Sequence, residues 1–262
     1  MKPNVLVMFG YGINCEEETK FAFETAGARA DIVHINDLID GYKKLDNYQV
    51  IAFPGGFSYG DDTGAGNAFA NRIRNNFWDE IKTFVGGDHL IIGICNGFQI
   101  IANLGLFSDT NGTPQVALTH NTSARYYDRW VDLIVQNNSP WLLGIEKLSL
   151  PIAHGEGRFY AEPKTLNEIN QRRLVALKYF KGEMCEYQYL EQNPNGSLED
   201  IAGITDDSGR IFGMMPHPER AIGFTQHPYW TLLKEQYKRS EREIPGEGQG
   251  IQIFKNGVNY FS

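Results

Sequence analysis

The chain has 262 residues, 42% hydrophobic and 21% charged, with a formal charge of -8. That length suits one α/β domain with a sizeable core, and the composition is that of an ordinary globular chain. The acidic balance argues against nucleic-acid binding, no apolar run approaches the ~20 residues of a membrane span, and the N-terminus is too short for a signal sequence.

Strand-like and helix-like segments alternate from the start. Residues 5–9 read as a strand, 16–26 as a helix and 30–35 as a second strand. A short helix over 37–44 leads to an apolar strand at 50–53. Residues 62–84 read as one long helical stretch, and 89–94 as the strand after it. Such alternation predicts a doubly wound, mainly parallel sheet with helices on both faces. After residue 115 the pattern shifts to shorter runs at 116–119, 130–135, 148–153 and 174–179, which predict a mixed or antiparallel extension. Residues 211–215 read as a buried strand and 229–242 as a terminal helix. The expected division is a domain over 1–242 and a tail over 243–262, glycine-rich and then apolar, packed on the domain or on a partner.

Three segments carry chemistry. In Gly93-Ile-Cys-Asn-Gly-Phe-Gln99 a cysteine sits between a buried strand and a helix start, with glycines that keep the bend uncrowded. A helix N-terminus stabilises negative charge on sulfur, and the amide of Asn96 points where an oxyanion would form. Cys95 therefore reads as an acyl-transfer nucleophile, against the ordinary reading of a small buried thiol. Gln99, one helical turn on, faces the same side. In Pro216-His-Pro-Glu219 the prolines end a strand and fix the backbone around His217. In extended chain, residues two apart share a side, so Glu219 is expected to orient the imidazole. The alternative is a turn with a solvated histidine. The loop Pro54-Gly-Gly-Phe-Ser-Tyr-Gly-Asp61 lacks the Lys-Ser/Thr of a phosphate cradle. Its Gly56 amide is the candidate second oxyanion donor beside Asn96. All three segments follow strands, and ligands collect at the carboxyl ends of strands in such folds. The three cysteines, at 15, 95 and 185, are far apart and have no metal-type pairing, so no metal is expected and a reducing, cytoplasmic setting fits. Cys15, which lacks an elbow, reads as structural.

These motifs resemble those of the class I (triad) glutamine amidotransferases. Gly12-Ile-Asn-Cys-Glu16, His120-Asn-Thr-Ser-Ala-Arg-Tyr126, Ala153-His-Gly-Glu-Gly-Arg-Phe159, Asn193-Pro-Asn-Gly-Ser197 and Ile201-Ala-Gly-Ile-Thr205 narrow the resemblance. Together they are similar to the glutaminase subunits of phosphoribosylformylglycinamidine synthase, over residues 4–224 and in the expected order. The resemblance implies a flavodoxin-like amidotransferase fold and a Cys95–His217–Glu219 triad that hydrolyses L-glutamine. It implies Gly56 and Asn96 as the oxyanion hole, and Gln99, Asn121, Thr122, Ser123 and Arg125 around the glutamine. Arg125 is equally readable as a partner contact or an ordinary loop arginine. His154 is expected near the site or an interface, or as a structural histidine, but not as a base. The implied partners are a synthetase subunit, which carries ATP and Mg and converts formylglycinamide ribonucleotide to its amidine, and a small bridging subunit. No cofactor is expected in this chain. The alternatives are an amidotransferase subunit of another synthetase and a catalytically silent paralogue.

Overall fold

A computed structural model describes residues 2–107 and 112–262. Its strands, in chain order, are Asn4–Phe9 (β1), Arg29–His34 (β2), Val50–Phe53 (β3), Leu90–Ile94 (β4), Val116–His120 (β5), Tyr127–Val135 (β6), Lys147–His154 (β7), Glu156–Ala161 (β8), Val175–Phe180 (β9), Ile201–Thr205 (β10) and Ile211–Met214 (β11). The main sheet has nine strands in the order β2-β1-β3-β4-β11-β10-β9-β6-β7, and β5 pairs with β8 in a separate ribbon. Strands β2, β1, β3, β4 and β11 run parallel, while β10, β9, β6 and β7 add antiparallel neighbours. This is the parallel core with a mixed extension that the sequence implies.

The apolar runs explain the centre. Every residue of β3, β4 and β11 is buried, as expected for parallel strands covered on both faces. Register then fixes the chemistry. Phe53 pairs with Gly93, and Met214 with Ile94, so the chain leaves β3, β4 and β11 side by side at one edge. The segments after residues 53, 94 and 214 therefore have to meet there.

Several boundaries differ from the sequence expectation. The long helix predicted over 62–84 is two helices, Asn67–Asn76 and Trp78–Gly86, split at Phe77. Phe77 is buried, with φ -149° and ψ 38°, so packing of its ring overrides helical continuity. The start is also later, because Gly66 has φ +74° and lies against the backbone of Gln99 and Ile100. The helix predicted over 37–44 is Ile35–Ile39, where His34 Nδ1 accepts from the Asn36 amide at 3.1 Å. Helix Pro163–Gln171 was not foreseen.

The C-terminal segment is part of the body. Helix Ile251–Asn259 buries Ile253 and Phe254 completely, and the Phe254 ring meets that of Phe23 edge-on at 4.9 Å. Asn256 Nδ2 donates to the carbonyls of Trp141 (3.0 Å) and Leu143 (2.9 Å). Just before this helix, the amides of Gly248 and Gly250 donate to Ile222 O and Ala221 O, each at 2.8 Å. The tail thus straps the turn that follows His217. Phe254→Ala should lower unfolding stability by about 3–5 kcal/mol, read as a reduced urea midpoint. An unchanged midpoint would show that the strap does not belong to the cooperative unit.

Candidate active site

Cys95 is the hinge between β4 and helix Asn96–Asn103, at φ 53° and ψ -107°. A non-glycine residue in that region stores strain, so its surroundings must hold it there. Its amide donates to Met214 O at 2.8 Å, and its carbonyl accepts from the Gln99 amide at 3.1 Å. A Cβ on Gly97 would fall 1.8 Å from Phe53 O, so only glycine lets the helix start sit this close to β3. The Asn96 amide lies at the first helical position, where no carbonyl is available one turn back. Its side chain is tied down, with Oδ1 accepting from Ser58 N at 3.1 Å and Nδ2 donating to Gln99 Oε1 at 2.8 Å.

The loop after β3 is zipped to the loop after β1. Phe57 N donates to Gly12 O at 2.7 Å, and the amides of Asn14 and Cys15 both reach Gly55 O at 3.2 Å. Gly56, at φ +153°, has its Cα face against Gly12 O and Ile13. Gly55 lies against the His217 ring and the Cys15 sulfur.

His217 and Glu219 are 1% exposed. The His217 amide donates to Pro151 O at 2.8 Å, which anchors it on β7, and Nδ1 lies 2.5 Å from Glu219 Oε1. The pair meets as the sequence suggests, but by another route. Pro218–Arg220 is a single 3-10 turn, not extended chain, and that turn brings the carboxylate to the imidazole. Burial disfavours the imidazolium, yet Glu219, Cys95 and Cys15 together hold His217 well above an ordinary histidine. The Cys95 thiol donates to Ala153 O at 3.7 Å and raises the proton affinity of His217, whose Nε2 is buried without a hydrogen-bond partner among the described residues.

Cys15, read from sequence as structural, lies beside the His217–Glu219 pair. Its fully buried sulfur accepts from Arg220 Nη2 at 3.0 Å. The donor atoms of Cys15, His217 and Glu219 all lie within 4.8 Å of one another. His217 Nδ1 is bonded to Glu219 Oε1 and Cys15 to the Arg220 guanidinium, while His217 Nε2 and Glu219 Oε2 have no partner among the described residues.

The other expected residues divide. Gln99 is buried beside the elbow, bonded through Oε1 to Asn96 and through Nε2 to Glu156 O at 2.5 Å. Asn121 is buried and donates to Arg125 O (2.8 Å) and His154 O (2.9 Å), with its Oδ1 3.1 Å from His154 Nδ1. Burial and the neighbouring His217 lower His154 to about 3, so it is neutral at physiological pH. Thr122, Ser123 and Arg125 lie on the exposed part of this loop. Tyr126, at the end of this loop, is raised above an ordinary tyrosine by burial and then by Cys95, and its ring is 6.2 Å from that of Phe57. Neither aromatic had been singled out from sequence, and their motifs were the only signal.

A thiol on a strained elbow, facing an imidazole held by a carboxylate, is the apparatus of nucleophilic acyl transfer. Comparison with known proteins agrees with that chemistry. A family model described as a CobB/CobQ-like glutamine amidotransferase domain matches residues 2–261. A phosphoribosylformylglycinamidine synthase subunit PurQ from Methanococcus maripaludis is 52% identical, covering 99% of this chain and 98% of its own length. A protein of the same name from Dehalococcoides mccartyi is 41% identical with the same coverage of both. Among solved structures, PurLQS from Thermotoga maritima aligns over all of both chains at TM-score 0.74 and 33% identity.

Asp61 closes the polar wall beside Asn96. Burial, then Glu156 and Asp62, raise it from 3.8 to about 6. Folded Asp61 therefore binds its proton more tightly than the unfolded chain does. Its stabilising contribution is complete below 3.8 and declines as pH rises toward 6. Asp61→Asn should raise the melting temperature at neutral pH and flatten that decline. A variant that melts lower at neutral pH than the parent contradicts the assignment.

Proposed function

The chain belongs to the PurQ family of glutamine amidotransferase subunits, and we propose that it cleaves the side-chain amide of L-glutamine at Cys95. The single observation that carries this reading is the buried His217–Glu219 pair facing the Cys95 elbow. Cys95 attacks the carboxamide carbon, and His217 takes the thiol proton and passes it to the leaving nitrogen, which departs as ammonia. Glu219 keeps the imidazole in the required tautomer. The amides of Gly56 and Asn96 bind the tetrahedral oxyanion, a contribution of about 3 kcal/mol per donor in other enzymes. Water then cleaves the thioester, so glutamine and water become glutamate and ammonia.

The glutamine pocket is assigned to the ground between the elbow and the 121–126 loop. Gln99 shapes it by fixing Asn96 and the β8 backbone, and Asn121 by fixing the end of β7. Thr122, Ser123 and Arg125, exposed on this loop, are assigned to the polar end of the substrate or to a partner. Residues 1–242 carry the chemistry, while 243–262 brace the turn after His217.

Relatives bear the name of phosphoribosylformylglycinamidine synthase, so the ammonia goes to formylglycinamide ribonucleotide on a synthetase subunit. ATP and Mg belong to that subunit, a small third subunit bridges the two, and this chain needs no cofactor of its own. No described helix is long and apolar enough to cross a membrane. A thiol nucleophile works in reducing surroundings, which fits a cytoplasmic enzyme. The full-length match argues against service to a different synthetase, and the retention of Cys95, His217 and Glu219 with the His217–Glu219 bond argues against a silent paralogue.

In the reconstituted complex, Cys95→Ser should cut glutamine-dependent amidine formation by at least about a thousandfold while leaving ammonia-dependent formation intact. Equal loss of both activities, or persistence of the glutamine reaction, overturns the assignment. The isolated chain should release ammonia slowly and accelerate when the synthetase is added. Fast turnover that ignores the synthetase contradicts partner control.

A further inference from the structure

We propose that Cys15 is a positioning residue whose sulfur holds the Arg220 guanidinium off Glu219, leaving that carboxylate free to act on His217. The inference rests on the triad reading above and concerns what keeps the triad's charges arranged.

The backbone imposes the place of Cys15. It ends the loop after β1, is bonded to Gly55 O at 3.2 Å, and opens helix Glu16–Thr25, where its carbonyl accepts from the Thr19 amide (3.1 Å) and hydroxyl (2.7 Å). Its side chain is 0% exposed, so the sulfur has little freedom to leave. Arg220 lies between two acceptors. Its Nη2 is 3.0 Å from Cys15 Sγ, whereas its Nε is 3.9 Å from Glu219 Oε1. Glu219 Oε2 is buried and makes no hydrogen bond among the described residues. A buried carboxylate beside a guanidinium is ordinarily taken by two parallel N–H donors. Here Nη2 is on the sulfur, and only Nε reaches the carboxylate, at 3.9 Å and on the oxygen already bonded to His217.

The charge arithmetic gives that arrangement a consequence. The groups facing His217 are Glu219 on its own turn, Cys95 from the elbow, Cys15 from the loop after β1, neutral His154 from the end of β7 and Tyr126 from the loop before β6. Arg220 is coupled to this set through Cys15 and Glu219. Without the sulfur, the guanidinium would close on the free carboxylate oxygen and neutralise the charge that favours the imidazolium. His217 would then lose its proton at lower pH, and with it the acid needed to expel ammonia.

The test is the pH dependence of kcat/KM for glutamine hydrolysis by the reconstituted complex, for Cys15→Ala, Cys15→Ser and Arg220→Gln. Cys15→Ala should move the alkaline limb down by on the order of one pH unit, with KM little changed. Cys15→Ser keeps an acceptor for Arg220 and should restore the parental limb. Arg220→Gln removes the cation, so its limb should stay or move up. A Cys15→Ala profile that overlays the parent at reduced height would mean packing alone and overturn the proposal. So would a serine variant shifted as far as alanine, or a downward shift in Arg220→Gln, which is informative even if Cys15→Ala fails to fold. A Cys95→Ser control separates the two claims, since activity there would sink the triad reading itself.

Discussion

A carboxylate removed from water is stable only when it is paired, and Glu219 finds its partner in His217 at 2.5 Å. That bond sets the tautomer of the imidazole and its raised proton affinity, and hence what the ring can do for a neighbouring thiol. The rest of the molecule serves to hold the pair at a fixed place. The sheet register puts the ends of β4 and β11 side by side, and Pro151 O on β7 fixes the histidine backbone. The C-terminal strap braces the turn from below through Ala221 and Ile222. The far end of the chain thereby contributes to the geometry of the site by packing on the turn that carries Glu219, with Gly250 against Pro218 O.

The elbow works by a second constraint. Strain at Cys95 persists because both flanks are locked, by pairing with Met214 on one side and by the close approach of Gly97 to Phe53 O on the other. The Asn96 side chain spans from Ser58 to Gln99, so the loop after β3 and the elbow move as one body. Both candidate oxyanion amides are therefore carried by a rigid frame, which is what preorganised stabilisation requires. By contrast, Tyr126 and Phe57 at the rim are half exposed.

Much of this was legible in the sequence where a local pattern carries it. The unbroken apolar runs at 50–53, 90–94 and 211–214 announce a buried parallel core, and the glycines around Cys95 announce the elbow. What was not legible depends on packing between distant segments. Phe77 keeps the helical spacing of apolar residues, yet its burial breaks the helix. The 251–259 helix contains Gly257 and follows a run of glycines, so intrinsic propensity hides it. It forms because Trp141 and Phe23 receive it. The Cys15–Arg220 contact joins positions with no shared periodicity, and the exposed aromatics Tyr126 and Phe57 look alone like any others. The pairing of His217 with Glu219 was foreseen from extended geometry but is delivered by a turn, because Pro218 starts a 3-10 segment.

The most direct measurement is to quench the complex during turnover of glutamine and map covalent adducts by mass spectrometry. The account predicts a γ-glutamyl thioester on the peptide bearing Cys95. It should accumulate when water attack is slowed by mild acid. An adduct on Cys15 or Cys185, or steady turnover with no thioester under conditions that trap one, would contradict it.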